Sequence, residues 1–238
     1  MWFGSLAGAG LAFITQVVLA RELTPAGYGL FASALATITL LVPLAGFGVR
    51  GFWLKAFGVE GWGAVRWLTL SFRFVILSTT VTLLLLAGWT AFGPHDASFR
   101  WLLYWLLPVV FGYLFVELVS GKLQLEERYK ALALWRLMPQ LARLLLVLVI
   151  VFSTTGEVGI GTIAVAYTLV ALTVMIAGFA ELRGMAQGRF TLKGHPKSSG
   201  TENMLQTTAS SLVRVSDVAR QAWPFALSGV FYLVYYQS

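Results

Sequence analysis

Two arginines, Arg136 and Arg143, stand inside an apolar run at residues 131–152, and few other residues of this sequence carry comparable chemical capacity. Seven positions apart on a helix, they differ in direction by only about 20°, so they share a face. Gln140 falls on that face, with Pro139 beside it. At ~1.5 Å per residue, Arg143 lies on the order of 18 Å from the start of the run, beyond easy snorkelling to a membrane surface. An ionisable group that deep is expected to face a protein interior or a wet cavity. Arg136 is shallower, and Glu117, near the end of the preceding apolar run, sits at a similar depth. Two roles are open for Arg136: a structural ion pair with Glu117, or a place beside Arg143 in a site. Such a stripe could hold an anion, because buried guanidinium groups bind phosphate oxygens through paired, charge-assisted hydrogen bonds. The candidate substrate-binding residues are therefore Arg143, Arg136, Gln140 and Glu117.

Covalent chemistry has little material here. The only aspartates, Asp96 and Asp217, fall outside the apolar runs, and no Ser/His/Asp arrangement or phosphate-cradling glycine loop is evident. Cysteine is absent, which excludes disulfides and thiolate metal ligands. His95 and His195 lie in polar segments with no second ligand at metal spacing. Neither a cofactor nor a metal is implied.

The elements that must position these residues are apolar helices. Hydrophobic residues make up 58% of the chain and charged residues 11%, where soluble chains carry about 25% charged. Apolar runs at residues 1–20, 29–49, 74–92, 101–120, 131–152 and 160–180 are each expected to be a membrane span. The first has no basic n-region or small-residue cleavage site, so it is expected to be retained rather than removed as a signal peptide. Its Thr15 and Gln16 are expected to bond between helices. Pro43 is expected to kink the second run. Residues 50–73 interleave Trp53, Trp62 and Trp67 with Arg50, Lys55 and Arg66, a mixture suited to a segment at the headgroup level.

Charge then sets the orientation. Assigning alternate loops to one side gathers Arg50, Lys55, Arg66 and Arg73, then Lys122, Arg128 and Lys130. Arg183, Arg189, Lys193, Lys197, Arg214 and Arg220 join them, thirteen basic residues against two, Arg21 and Arg100. By the positive-inside rule the thirteen are cytoplasmic, and the amino terminus with them. The net charge of +7 is thus a matter of topology, and nucleic acid is not an expected partner.

The turn between the first two runs gives the family signal. Ala20, Arg21, Glu22, Leu23, Thr24 and Pro25 are followed by Tyr28, Gly29, Leu30 and Phe31, with Gly46 and Gly48 further on. Thr24 suits an N-cap and Pro25 the first helical position. This pattern resembles the opening hairpin of polysaccharide-export flippases of the multidrug/oligosaccharidyl-lipid/polysaccharide superfamily, O-antigen flippases among them. Weaker echoes at residues 121–129 and 223–236 extend the likeness across the chain.

The resemblance implies an all-α, polytopic transmembrane helical bundle in a bacterial or archaeal inner membrane. It also implies movement of a lipid-linked, undecaprenyl-pyrophosphate-type oligosaccharide between leaflets for cell-surface polysaccharide, lipopolysaccharide included. Such transport runs on an ion gradient or the membrane potential, with no enzymatic step and no cofactor. The implied partners are the lipid-linked oligosaccharide, membrane lipids and the polysaccharide polymerase machinery.

Relatives have two six-helix bundles. Here residues 1–180 are expected to form the first, residues 181–220 a cytoplasmic linker, and residues 221–238 the start of a seventh helix in a chain expected to be a fragment. Pro224, Leu227, Ser228 and Gly229 resemble the opening of the second half. Two other classes compete. A multidrug or cation antiporter of the same superfamily would want carboxylates at the midplane. A membrane-embedded polysaccharide-assembly enzyme would want a large polar external loop.

Overall fold

The computed structural model describes residues 2–154, 156, 158–186 and 215–237, and within them the fold is all α. Helix α1 (Trp2–Glu22) leads through a short turn into α2 (Pro25–Gly46), followed by a short α3 (Val49–Glu60) and a single 3-10 turn (Gly61–Val65). Then come α4 (Arg66–Phe92), α5 (Ala97–Leu106), α6 (Pro108–Leu125), α7 (Tyr129–Ser153), α8 (Ile160–Ala186) and α9 (Val215–Gln237). Helix occupies each of the six apolar runs read from the sequence. By length and composition, the segments Pro25–Phe92, Ala97–Leu125, Tyr129–Ser153 and Ile160–Met185 are apolar enough to cross a membrane, the first of them holding both α2 and α4. The outer faces agree: Leu84, Leu85, Ile176 and Phe152 are exposed, as a bilayer solvent requires.

The first turn forms as its residues dictate. Thr24 Oγ1 accepts the Gly27 N–H at 3.2 Å, and Pro25 at the first helical position forfeits no hydrogen bond. Tyr28 donates its hydroxyl to Gln16 Oε1 at 3.1 Å, so Gln16 does bridge α1 to α2. Thr15 instead bonds the Leu11 carbonyl within its own helix at 2.8 Å.

Small residues and hydroxyls fit the inner helices together. Gly112 on α6 faces Ala171 on α8 so closely that a Cβ there would lie 2.8 Å from the alanine Cβ, and Gly178 on α8 meets Phe115 in the same way. Close approach of this kind is how membrane helices gain dispersion without a hydrophobic drive between them. Between α5 and α6, Pro108 interrupts the backbone ladder, and Thr168 of α8 donates to the Trp105 carbonyl at 2.6 Å.

The main departure from expectation lies between α2 and α4. Phe47 (φ 44°) and Gly48 (φ 69°) both adopt the left-handed conformation, ending α2 and restarting the chain as α3. The end of α2 is not left bare, because Ser78 and Thr79 of α4 donate to the Leu44 and Ala45 carbonyls at 2.7 and 3.3 Å. Ring contacts then descend α4: Phe47 meets Phe74, Trp53 meets Phe72, and Phe52 meets Trp67. So α3 continues alongside α4 beyond a break. Trp53 is fully buried and Trp67 nearly so, so these rings of the segment expected at the headgroup level pack inside the bundle. Aromatic area of this size is better hidden against α4 and α6 than left at an interface.

Of the expected linker, residues 181–186 complete α8 and 215–220 open α9. Its centre, including His195, lies outside the described residues. His95 contacts Trp89 edge-on and Phe99 at a tilt, with ring centroids 4.2 and 5.1 Å away.

Candidate functional site

A partly open cavity of about 870 Å³ lies between α2, α3, α6 and α9, within the range of ligand pockets. Its wall is mainly apolar. Its polar side chains are Thr39 from α2, Arg50 from α3, Tyr113 and Glu117 from α6, and Ser228 from α9. The α2–α3 break supplies the closest backbone, with Gly46, Gly48 and Gly51 all on the wall. A side chain would not fit at two of these. A Cβ on Gly48 would stand 2.5 Å from the Ala226 nitrogen, and one on Gly51 would stand 2.7 Å from the Phe225 ring.

Arg50 enters this cavity because the left-handed Gly48 places it in the first turn of α3. Its Nη1 donates to Glu117 Oε2 at 2.7 Å and its Nη2 to Gln124 Oε1 at 3.1 Å, a fork that spans two turns of α6. The stem of Arg50 crosses Gly121, which lies between those two partners, with its Cγ 3.1 Å from where a Cβ would be. The N-terminal turn of α3, which no side chain of its N-cap residue closes, also faces the cavity and adds partial positive charge there.

Beside the cavity, α7 runs antiparallel to α6 and in register with it. Arg136 Nε donates to Ser120 Oγ at 3.3 Å, and Arg143 Nη1 donates to Tyr113 Oη at 2.8 Å. The seven-residue spacing on α7 thus meets a seven-residue spacing on α6. Arg143 is 6% exposed, and its guanidinium carbon lies 4.7 Å from the Tyr113 ring centroid and 5.2 Å from that of Tyr167 on α8. Two π faces and one hydroxyl hold it, and among the described residues no carboxylate pairs with it. Its buried Nε has no partner among them.

The four residues singled out from the sequence therefore separate. Glu117 lines the cavity; Arg136, Arg143 and the half-buried Gln140 do not. Of the two roles left open for Arg136, the ion pair with Glu117 is not formed: Glu117 pairs with Arg50, because the antiparallel register sets Arg136 opposite Ser120 while α3 brings Arg50 over Gly121. Arg143 does face the protein interior, and Tyr113 links it to the cavity wall. Arg50 and the two tyrosines were missed. The sequence did hold a signal for Arg50, which sits between Gly48 and Gly51 in a stretch otherwise crowded with large rings.

On the face of α6 that carries Tyr113, Glu117, Ser120 and Gln124, Arg50, Arg136 and Arg143 meet one carboxylate, Glu117, while Lys122 on α6 is paired separately with Glu126 and Glu181. Among the described residues no group of three His, Cys, Asp or Glu side chains could hold a metal ion. A cluster of arginines with one carboxylate suits binding of an anion more than covalent chemistry.

No curated protein and no solved structure matches the chain. The family model described as polysaccharide biosynthesis protein matches residues 2–238. With the apolar helices described above, that match places this multi-pass membrane protein in the polysaccharide biosynthesis protein family.

Proposed function

We propose that the chain forms the amino-terminal bundle of a lipid-linked oligosaccharide flippase, with its amino terminus in the cytoplasm. The substrate is an undecaprenyl-pyrophosphate-type oligosaccharide moved across the inner membrane for cell-surface polysaccharide, without covalent chemistry. The observation that carries this reading is a cavity built at a broken helix with Arg50 on its wall, backed by Arg143, which reaches the wall through Tyr113. Interrupted helices serve transporters in this way, because a half-helix N-terminus attracts an anionic group while the two bundles rock around it. The mainly apolar wall suits the first isoprene units of a lipid carrier, and Arg50, Tyr113 and Ser228 suit its polar head.

Arg50 would hold the pyrophosphate. Arg143 would act from behind Tyr113, fixing that ring and adding positive potential, and Arg136 would do so from its place on Ser120. An antiporter for cations would need an available carboxylate, and the one on this wall is engaged by Arg50.

The test is complementation in the native host. Arg50→Gln and Arg143→Glu should each abolish surface polysaccharide while membrane expression stays normal. Unchanged polysaccharide in both would end the anion-cavity proposal.

A further inference from the structure

Along α6 the residues Tyr113, Glu117, Ser120 and Gln124 follow spacings of three and four, which keep them on one face. Every one of them is held by an arginine from another helix. Only one of the four acceptors is charged. Glu117 meets Arg50 on the cavity wall at 2.7 Å, with side-chain exposures of 47% and 28%. Arg136 of α7 rests on a neutral hydroxyl at 3.3 Å, that of Ser120, three residues beyond Glu117 on the same face of α6. Glu117 thus pairs with Arg50 while the guanidinium held at the next position of that face has no carboxylate partner among the described residues.

We infer that Glu117 is a built-in stand-in for the ligand's anion: it neutralises Arg50 until a polyanionic head displaces it, and it then passes to Arg136. The inference rests on the anion-cavity reading above. The exchange is chemically economical. Arg136 gives up a long bond to a neutral oxygen and gains a carboxylate, Arg50 gains the ligand, and Glu117 is never left without a cation. The fork of Arg50 matches two phosphate oxygens as well as it matches Glu117 and Gln124.

The device also accounts for an arginine facing a partly open cavity of a membrane protein without binding ordinary lipid heads there. Phospholipid heads are singly charged phosphodiesters and are present in great excess. An anion must outcompete a tethered carboxylate to reach Arg50, so weak singly charged heads stay out while a diphosphate enters. Glu117 on this account is a specificity-determining residue that lowers affinity.

The sign of that effect makes the test decisive. The full chain in phosphatidylcholine nanodiscs is titrated with inorganic pyrophosphate by calorimetry, with thermal unfolding followed in parallel to establish folding. Glu117→Gln should bind about tenfold tighter than the unmodified protein, and Glu117→Asp, which keeps the charge but shortens the reach to Arg50, should bind a few-fold tighter. Arg136→Gln should weaken binding about fivefold, and by clearly less in the Glu117→Gln background, where no carboxylate needs a second home. Equal or weaker binding by folded Glu117→Gln and Glu117→Asp overturns the inference while leaving the cavity reading intact, provided that Arg50→Gln abolishes binding. Binding that is absent throughout, or indifferent to Arg50→Gln, overturns both.

Discussion

Tyr113→Phe isolates the most exposed weakness of the buried charge at Arg143. The substitution removes one oxygen and leaves the ring. Arg143 is 6% exposed, its Nε already lacks a partner, and the Tyr113 hydroxyl at 2.8 Å is the one side-chain acceptor given to its Nη1. A hydrogen bond to a charged group contributes about 1.5–3 kcal/mol, and a buried donor left unmet sets the cost near the middle of that range, about 2 kcal/mol. The cation–π contacts survive, because phenylalanine keeps the face that lies 4.7 Å from the guanidinium carbon. For a chain of this size ~2 kcal/mol corresponds to a fall in Tm of roughly 4–8 °C. Thermal unfolding in a mild detergent reads it directly. The second arm is Tyr113→Phe with Arg143→Leu. Taking away charge and acceptor together leaves no unpaired group, so the double variant should regain most of the lost Tm. A neutral Tyr113→Phe, or a double variant less stable than the single, would refute this account of how the charge is housed.

The other predictions bear on separate elements. Gly112→Ala should destabilise by about 1–3 kcal/mol through overpacking, because its Cβ would meet Ala171 at 2.8 Å between two helices that cannot part; thermal unfolding measures it. Gly48→Ala should cost about 1–2 kcal/mol from its φ of +69° alone, plus a clash at the Ala226 nitrogen, and the same assay should place it below Gly112→Ala. Arg50→Lys should fail to restore surface polysaccharide, since one ammonium cannot reach both Glu117 and Gln124 as the fork does. The chain has no cysteine, so single cysteines report topology cleanly. In intact spheroplasts a membrane-impermeant maleimide should label Asp96→Cys and spare Val59→Cys, the reverse pattern inverting the proposed orientation.

Periodicity and capping made much of this fold legible. Helix occupies every apolar run read from the sequence, and Thr24, Pro25 and Tyr28 do what their side chains suggest. The break at Phe47 was not legible, because a left-handed phenylalanine has no compositional signature and is held there by its neighbours, Phe74 among them. The packing of residues 50–73 was not legible for a related reason: tryptophans mixed with arginines suit the headgroup level whether or not the rings are covered, and only the approach of α4 and α6 shows that Trp53 and Trp67 are. The inward direction of Arg143 followed from depth alone. The partner of Glu117 did not, since depth matches Glu117 to Arg136 and leaves Arg50 among the loop charges, and the register between α6 and α7 exists only once both helices are docked.

Phe225 rests where Gly48 and Gly51 offer no Cβ, and Gly229 faces Pro43 one turn further along α9. Such a seat behaves as a detent. The next position on that face of α3 is Leu54, which carries a branched side chain instead of a recess. A displacement of α9 along α3 would therefore have to unseat the ring as one step, opening the wall of the cavity with it. A bulkier residue at position 225 would hold the latch ajar and a smaller one would let it rattle, so the side chain at this single contact sets how sharply the two conformations are divided.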